Sequence, residues 1–418
     1  MKYDVKNIKL AEKGLKRIKW AAKEMPVLRF IAKQFKQNKT LKKIIIGACL
    51  HITAETANLM LTLKEGGAKV FLCASNPLST QDDVAAALVH YFKIPVFAKR
   101  GENRKTFFTH LNLVLDSRPQ IVIDDGADLI GLLHTVRANQ NKTIWGGCEE
   151  TTTGVNRLKS LNKSGKLQFP IVAVNDSQIK YLFDNRYGTG QSTIDGIIRA
   201  TNILIAGKKF VVAGYGWVGR GIATRARGMG AEVIITEINP IRALEARMDG
   251  FAVMTMEVAT LIGDIFVTAT GNRNVIDNRH FVKMKNGAIL ANAGHFNVEI
   301  DVKNLETLKG KKEEARTGVK SYQVAKDKQV YLIGEGRLVN LAAAEGHPSA
   351  VMDLSFAGQA KSVEFIVKNK RKLKKQIYNL PFEVESEIAQ IKLDSVGIKI
   401  DKLTAQQKEY MSGWETGT

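Results

Sequence analysis

Apolar residues recur at helical spacing in residues 7–37, and the Met25-Pro26 step divides that stretch into two predicted helices. Beyond it, short apolar runs alternate with amphipathic segments such as 55–64 and 81–91. This alternation predicts parallel strands covered by helices on both faces. The predicted strands of a first set are 43–50, 68–74, 94–98, 120–123, 142–147 and 170–174. A second set begins at 209 and continues with 232–236, 252–255, 265–268, 287–291 and 330–333.

The two sets predict an α/β protein with two doubly wound, Rossmann-like parallel-sheet domains in series and a small C-terminal segment. A helix is predicted over 349–367, whereas 380–418 is more polar and irregular. We expect glycine-containing hinges near 186–192 and 346–350, where the chain crosses between the domains. The predicted boundaries are 1–186 for a substrate domain completed by 349–392, 187–348 for a dinucleotide-binding domain, and 393–418 for the C-terminal segment.

One segment of the second set carries a glycine motif between two predicted strands. The motif GYGWVG (214–219) follows a buried strand and opens a short helix, and the next strand ends at Glu237. The glycines permit a tight turn, a close approach of the backbone to a pyrophosphate, and close helix–strand contact. The helix N-terminus faces the phosphates. Glu237 is placed to accept from ribose hydroxyls and would repel the 2′-phosphate of NADP, so the motif predicts an NAD site.

Composition narrows the class of protein. The chain has 418 residues, no apolar run long enough to span a membrane, and no signal-peptide segment, so we expect a cytoplasmic protein without a membrane partner. Cys49, Cys73 and Cys148 lack metal-ligand spacing, so we expect buried, reduced thiols and no metal. The net charge of +21 is unusual. The basic runs lack interleaved aromatic residues, which favours a lysine-rich surface over a specific nucleic-acid partner.

Polar side chains cluster where the strands of the first set end. Ligands of open parallel sheets bind beyond the carboxyl ends of the strands. A position in a turn or at a helix cap explains any one of these polar residues alone. Polar residues at five strand ends together predict one pocket with acid–base groups that faces a nicotinamide. The residues are His51, Thr53 and Glu55, then Ser79 to Asp82, then Asp124, Asp125 and Asp128, then Glu149 to Thr153, then Asn175, Asp176, Lys180, Asp184 and Asn185. His295, Asn340 and His347 follow in the second set.

These residues resemble the S-adenosylhomocysteine hydrolase family, from about Ile8 to Tyr410. The resemblance implies reversible hydrolysis of S-adenosylhomocysteine to adenosine and homocysteine, with tightly held NAD that is regenerated in each cycle. It also implies a homotetramer in the cytoplasm and a part in the methyl cycle of one-carbon metabolism. The segments that carry the resemblance are LHITAET (50–56), STQD (79–82), DDG (124–126), EETTTGV (149–155), VNDS (174–177), FDN (183–185), AGYG (213–216), ITE (235–237), GHF (294–296), EGRLVN (335–340) and GHP (346–348).

The resemblance also implies a chemistry. Oxidation of the ribose 3′-hydroxyl to a ketone makes the C4′ proton acidic. A base removes this proton, homocysteine leaves, water adds, and the ketone is reduced. Asp125 is the implied base at C4′. Lys180 and Asp184 bind the ribose hydroxyls and assist removal of the 3′-hydroxyl proton, which a lysine can do if burial lowers its pKa.

The other implied positions fall into three groups. His51 is the acid–base group at C5′, a role that His295 shares, and Glu150 and Asn175 position the sugar and Lys180. The adenine contacts are Thr53, Glu55, His347 and Met352. The NAD contacts are Thr151, Thr152, Thr153, Asn185, Gly214, Gly216, Val218, Gly219, Glu237, Thr270, Gly271, Asn292 and Asn340.

Three features depart from the family pattern. Thr189 stands where many relatives have Cys near the nicotinamide, and Glu345 stands where many have Met beside the adenine loop. Many relatives end in a Lys/Tyr-rich tail that reaches the NAD of a neighbouring subunit. This sequence ends at Trp414-Glu-Thr-Gly-Thr418, so we expect that contact to be missing.

Three other functions compete. The first is a hydrolase of the same kind that acts on S-inosylhomocysteine or another nucleoside thioether. Because the Glu55 carboxylate accepts from a 6-amino group and repels a 6-oxo group, this residue favours adenine. An NAD-dependent 2-hydroxyacid dehydrogenase would need an Arg and a His–acid pair for a carboxylate substrate, and we find no such set. An inactive NAD-binding regulator should have lost one of Asp125, Lys180, Asp184 and His51, and the sequence keeps all four.

Overall fold

The computed structural model describes residues 1–308 and 310–414 and confirms the predicted α/β class. Within these residues, sixteen strands form two eight-stranded sheets. The strands are β1 (Asp4–Val5), β2 (Ile45–Cys49), β3 (Lys69–Cys73), β4 (Val96–Ala98), β5 (Ile121–Asp124), β6 (Gly146–Glu149), β7 (Ile171–Ala173), β8 (Lys209–Ala213), β9 (Glu232–Thr236), β10 (Ala252–Val253), β11 (Ile265–Thr268), β12 (Ala288–Asn292), β13 (Lys312–Arg316), β14 (Val319–Ala325), β15 (Lys328–Ile333) and β16 (Ile377–Tyr378).

Helices cover both faces of the sheets, as the alternating pattern predicts. Pro26 opens the second helix at its first turn, where a proline costs no hydrogen bond. The α-helices are α1 (Ala11–Lys23), α2 (Pro26–Asn38), α3 (Ala54–Glu65), α4 (Asp82–His90), α5 (Arg104–Leu115), α6 (Asp128–Leu133), α7 (Thr152–Lys163), α8 (Gln178–Lys180), α9 (Thr189–Thr201), α10 (Trp217–Gly228), α11 (Pro240–Met248), α12 (Met256–Ile262), α13 (Asn278–Phe281), α14 (Val302–Thr307), α15 (Val339–Ala342), α16 (Ser349–Asn369), α17 (Phe382–Ser395) and α18 (Ala405–Ser412). The 3-10 helices are Ile8–Leu10, Ala138–Thr143, Val174–Asp176 and Gly334–Gly336, and Tyr181–Gly188 is a π-helix.

The first sheet is parallel throughout, with the strand order β1-β4-β3-β2-β5-β6-β7-β16. Helices α1 to α4 and α16 pack against one face of this sheet and form one hydrophobic core with it. Helices α5 to α7 pack against the other face and form a second core. The connections change direction between β2 and β5. An open sheet binds its ligands outside this point, so the site of the first domain is expected beyond the ends of these two strands.

The second sheet has the order β10-β9-β8-β11-β12-β15-β14-β13, and its connections change direction between β8 and β11. Strand β14 pairs antiparallel with both β13 and β15, so an antiparallel ribbon closes one edge of this otherwise parallel sheet. The sequence pattern did not predict the ribbon, because most of the β13 side chains are exposed and charged.

The chain crosses between the sheets in two places. The outgoing crossing is the π-helix Tyr181–Gly188 followed directly by α9, and the return leads into α16. Gly190 lies within α9, where an added Cβ would lie 2.7 Å from the backbone of Gly221, so this glycine permits close packing rather than backbone rotation. Gly346, on the return, has a φ of +90° that favours glycine. The hinges themselves stay a prediction.

Two sequence predictions were wrong in detail. The strand expected at 142–147 is displaced, since Ala138–Thr143 forms a 3-10 helix and β6 begins only at Gly146. The stretch after 380 is not irregular, because its described part contains α17 and α18, whereas 415–418 lie outside the described residues.

The three cysteines are free and buried, as expected. Across 1–308 and 310–414, no helix is long and apolar enough to cross a membrane.

Candidate active site

A cavity of about 890 Å³ is lined by residues that follow strands of both sheets. Most of the residues predicted for the site line this one cavity. From the first sheet and its return segment they are His51, Thr53, Glu55, Asp125, Glu150, Thr151, Thr152, Thr153, Lys180, Asp184, Asn185, His347 and Met352. From the second they are Gly214, Gly216, Val218, Glu237, Thr270, Gly271, His295 and Asn340.

Three residues with an implied role do not line this cavity, and neither do the strand-end residues Ser79 to Asp82, Asp124, Asp128, Glu149 and Asp176. Asn292 is fully buried and its amide donates to the carbonyls of Gly294, Phe296 and Gly336, so it fixes the loop that carries His295. Gly219 permits close packing of α10 on the glycine turn, since a Cβ there would lie 1.9 Å from the carbonyl oxygen of Gly214. The side-chain oxygen of Asn175 accepts from Thr152, Lys180 and Asn185, which agrees with a positioning role.

Asp125 lies between two imidazoles, one from each sheet. Its Oδ2 is 3.1 Å from His51 Nε2, and its Oδ1 is 3.5 Å from His295 Nδ1. His51 follows β2 and Asp125 follows β5, so the two meet where the first sheet changes direction. The ligand atoms of the three side chains lie within 4.8 Å of one another, which makes them the group in the described residues that could hold a metal ion.

His51 is a neutral imidazole in this setting. Burial lowers its pKa to about 4, despite the opposing charge of Asp125. Because the Asp125 carboxylate accepts from Nε2, the Nδ1 atom accepts a hydrogen bond from Ser79 Oγ at 2.8 Å or from Ser75 Oγ at 3.0 Å. Ser75 was not predicted; it lies in the first turn after β3, and only its position at a strand end could have indicated it.

Lys180 is buried among oxygen acceptors. Its Nζ lies 2.8 Å from Asn185 Oδ1, 3.2 Å from Asp184 Oδ1 and 3.9 Å from Glu150 Oε1. Burial opposes the charge, but the carboxylates of Asp184 and Glu150 outweigh burial and raise the pKa of Lys180. The sequence argument required a lowered pKa for a basic lysine. The structure gives the opposite direction, so Lys180 is an ammonium donor in the resting site.

The two carboxylates beside Lys180 have opposite shifts. Burial opposes ionisation of Asp184, but Lys180 and His347 outweigh it and lower the pKa of Asp184. Burial raises the pKa of Glu150 to about 7, and Lys180 offsets only part of this. Ser355 and Gln359 donate to the Glu150 carboxylate from α16. Neither was predicted, although two polar residues one helical turn apart on a mostly apolar helix were a usable signal.

The predicted nucleobase contacts line the same cavity, and His347 Nδ1 lies 3.7 Å from Asp184 Oδ2. Glu55 Oε1 accepts from Ser349 Oγ at 2.5 Å, so the carboxylate is tied to the start of α16. His347 Nε2 lies 3.0 Å from Thr189 Oγ1 and 3.3 Å from Asn340 Nδ2. Burial lowers the pKa of His347, despite the opposing charge of Asp184. Thr189 therefore contacts the imidazole of His347 directly.

Glu345, another departure, points away from the cavity. Its side chain is exposed and pairs with Arg17 of α1, and Gln81 Nε2 donates to its backbone carbonyl at 3.2 Å. The residue therefore ties the return segment to the first domain and does not line the cavity.

The glycine turn fits a dinucleotide. Gly214 has a φ of +97°, and Gly216 is the N-cap of α10, so the first turn of this helix faces the cavity with unpaired N–H groups. Glu237 Oε2 accepts from the Tyr215 amide at 2.7 Å, and Oε1 accepts from the amides of Ile238 and Asn239. Burial opposes the charge, but these three amides outweigh it and lower the pKa of Glu237. The turn and its acid therefore form a site for the adenosine half of NAD.

Comparison with known proteins gives one consistent result. Residues 185–346 match the family model described as "S-adenosyl-L-homocysteine hydrolase, NAD binding domain", and residues 2–144 match "S-adenosyl-L-homocysteine hydrolase". The chain is 61% identical over its full length to an adenosylhomocysteinase of Aquifex aeolicus, and 59% identical to one of Saccharolobus solfataricus, with 100% of each relative covered. It is also 57% identical to an S-inosyl-L-homocysteine hydrolase of Methanocaldococcus jannaschii, again with 100% of both chains covered.

Proposed function

The chain belongs to the S-adenosyl-L-homocysteine hydrolase family and carries its NAD-binding domain, and on that premise we propose that it hydrolyses S-adenosylhomocysteine reversibly to adenosine and homocysteine. One observation carries the proposal. Asp125, held between His51 and His295, shares a single cavity with the Lys180–Asp184 pair and the glycine turn. A base, a pair that binds sugar hydroxyls and a dinucleotide site can therefore act on one ribose.

NAD supplies, when bound, the hydride acceptor that converts the ribose 3′ carbon to a ketone and later returns the hydride. The chain's own contribution is to position the sugar hydroxyls. The Lys180 ammonium donates to the 3′ oxygen, where negative charge develops. The ionised Asp184 carboxylate takes the proton of the 3′-hydroxyl as the hydride leaves the 3′ carbon, and Asn175 and Glu150 keep Lys180 in place.

The C4′ proton passes to the Asp125 carboxylate, because a ketone at C3′ makes that proton acidic. Elimination of homocysteine then needs an acid at C5′, and addition of water needs a base there. The neutral His51 imidazole gains the C4′ proton from the hydrogen-bonded Asp125, and the imidazolium then gives it to the leaving homocysteine. The neutral imidazole that remains is the base for water, and His295 contacts the same carboxylate from the other domain. The domains enclose the sugar, which protects the keto nucleoside from water.

A second substrate has specific support, because one 57% identical relative bears the name of an S-inosyl-L-homocysteine hydrolase. Adenine and hypoxanthine differ at position 6, where an amino group donates and an oxo group accepts. The Glu55 carboxylate accepts hydrogen bonds and carries charge, so it favours the 6-amino group. We therefore rank adenine first.

The remaining parts of the proposal concern the whole molecule. The domain boundaries 1–186 with 349–392, 187–348 and 393–418 fit the two sheets, since β16 returns to the first sheet. We propose a cytoplasmic homotetramer by resemblance to the family. We also propose that NAD copurifies, because it returns to its oxidised form in every cycle.

The test is a pair of condensation reactions. Purified protein is incubated with homocysteine and either adenosine or inosine, and the products are identified by mass. The proposal predicts S-adenosylhomocysteine as the main product. S-inosylhomocysteine as the main product would transfer the assignment to the second substrate, and the absence of both thioethers would remove the proposed activity.

A further inference from the structure

Glu149 is a buried acid that the proposed mechanism does not use. It is the last residue of β6, directly before Glu150, and its side chain is fully buried. Its Oε1 accepts from the amides of Gly126 at 2.8 Å and Thr151 at 3.0 Å, and its Oε2 accepts from the amide of Ala127 at 3.0 Å. In the described part of the chain no lysine or arginine pairs with it, so backbone amides take the place of a cation.

The turn that Glu149 holds has an unfavourable backbone. Gly126 has a φ of +110° and Ala127 a φ of +60°, and a side chain makes the left-handed region costly for Ala127. Such strain persists only where the surroundings impose it. Successive N–H groups of a turn form a concave anion site, and here a side-chain carboxyl group of the same protein occupies it, although burial and the charges of Asp124 and Asp125 raise the pKa of Glu149.

This turn carries the proposed base. Asp125 directly precedes Gly126, and the conformation of the turn sets the direction of the Asp125 carboxylate between His51 and His295. The turn also contacts the other domain, since a Cβ on Gly126 would lie 2.5 Å from His295 Nε2. A displaced turn would therefore move Asp125 relative to both imidazoles.

The residues packed around the Glu149 side chain leave space for its carboxyl group. Gly154 of α7 leaves room, because a Cβ there would lie 2.1 Å from Glu149 Oε1. The second sheet repeats this arrangement. Glu299 accepts from the amides of Thr270 and Gly271, both at 2.9 Å, and a Cβ on Gly294 would lie 1.7 Å from its Oε1. One buried glutamate thus supports a turn in each domain, 126–127 in the first and 270–271 in the second.

We infer that Glu149 is a positioning residue for proton transfer at C4′, acting through the 126–127 turn on Asp125. The inference rests on the proposed function, because it assigns Glu149 a part in a step of that reaction. Glu299, by contrast, supports the loop of Thr270 and Gly271, which faces the cofactor side of the cavity. The two glutamates therefore act on different steps.

The test compares two signals in Glu149→Gln holoenzyme given adenosine in deuterated buffer. In its best orientation the glutamine oxygen still accepts from Gly126 and Thr151, while the amide group opposes the N–H of Ala127. We expect exchange at C4′ to fall about 10- to 100-fold, the scale of a misplaced catalytic group. The absorbance of NADH at 340 nm should still rise at a rate within about threefold of the wild type, because Lys180 and Asp184 are untouched.

Two variants serve as controls. Asp353→Asn alters another buried carboxylate that accepts from two amides, those of Val27 and Leu28, and also from Lys392; none of these partners belongs to the 126–127 turn. It should leave the ratio of C4′ exchange to NADH formation unchanged. Glu299→Gln should lower the NAD content of the purified protein and leave the same ratio unchanged in the NAD-loaded fraction.

Two further readouts separate positioning from loss of folding. Amide hydrogen exchange at Ala127 should be faster in Glu149→Gln while the β5 and β6 amides stay protected. Gly154→Ala, which crowds the carboxylate without changing its charge, should reproduce the split between the two signals. A Glu149→Gln protein in which both signals fall by one factor, or in which C4′ exchange is normal, would overturn the inference. Wild-type protein that shows neither signal would overturn the proposed function, and the inference with it.

Discussion

Glu237 offers the sharpest test of the cofactor site. The residue directly follows β9, and its carboxylate already accepts from three backbone amides. Each carboxylate oxygen accepts two hydrogen bonds, so Oε1 is saturated and Oε2 keeps room for one further donor. We expect that donor to be a hydroxyl of the adenosine ribose. Glu237→Gln removes the charge, keeps the shape and replaces one acceptor by an amide donor.

The size of the effect follows from these contacts. A hydrogen bond to a charged group contributes about 1.5–3 kcal/mol, so loss of one such bond should raise the Kd for NAD roughly 10- to 150-fold. NADP should respond differently, because its 2′-phosphate is repelled by the charge that the substitution removes. The ratio of the Kd for NADP to the Kd for NAD should therefore fall.

Titration of the apo-protein with each dinucleotide, followed by tryptophan fluorescence or calorimetry, measures both constants. Glu232→Gln is the matched control, since Glu232 begins the same strand at the far end and pairs with the exposed Lys209. The control should bind both dinucleotides as the wild type does. An unchanged Kd for NAD in Glu237→Gln, or a change no larger than in the control, would refute the assignment of Glu237.

Three other outcomes are expected. Lys180→Ala should suppress NADH formation on addition of adenosine, whereas Asp125→Ala should still form NADH but lose C4′ exchange; one common block in both would show that these roles are wrong. Because burial raises the pKa of Glu150 to about 7 from 4.5, the folded state gains stability from its proton below about pH 4.5 and loses it as the pH rises through 7. The urea-derived free energy of unfolding of wild type relative to Glu150→Gln should fall by at most about 3 kcal/mol over that range, and a rise would contradict the shift. Adenosine should compact the NAD-bound protein in X-ray scattering through the hinges at 186–192 and 346–350, and identical profiles would remove the hinges.

Much of the fold followed from local pattern. Strands buried on both faces are continuous apolar runs, and β11 and β9 lie where those runs predict them. The pattern failed where strands are exposed or very short. Strand β13 presents charged side chains, and β1 and β16 have two residues each, so only pairing with a neighbour defines them.

The candidate site was predictable in its residue types and not in its electrostatics. Strand-end position alone brought His51, Asp125 and Lys180 to one cavity, because parallel strands share a carboxyl edge. The sign of the Lys180 pKa shift depends on two carboxylates 3–4 Å away, and no sequence pattern gives those distances. Glu149 was predicted only as one of the polar residues at a strand end and Glu299 was not predicted, since the importance of both lies in the backbone amides that they contact.

The most direct test of the mechanism is hydrolysis of S-adenosylhomocysteine in deuterated water, with mass and NMR analysis of the adenosine formed. Removal of the C4′ proton by Asp125 and its return from solvent-equilibrated groups predicts adenosine with deuterium at C4′. Direct displacement of homocysteine by water would leave that position unlabelled. Adenosine that forms at a normal rate with hydrogen retained at C4′ would contradict the account.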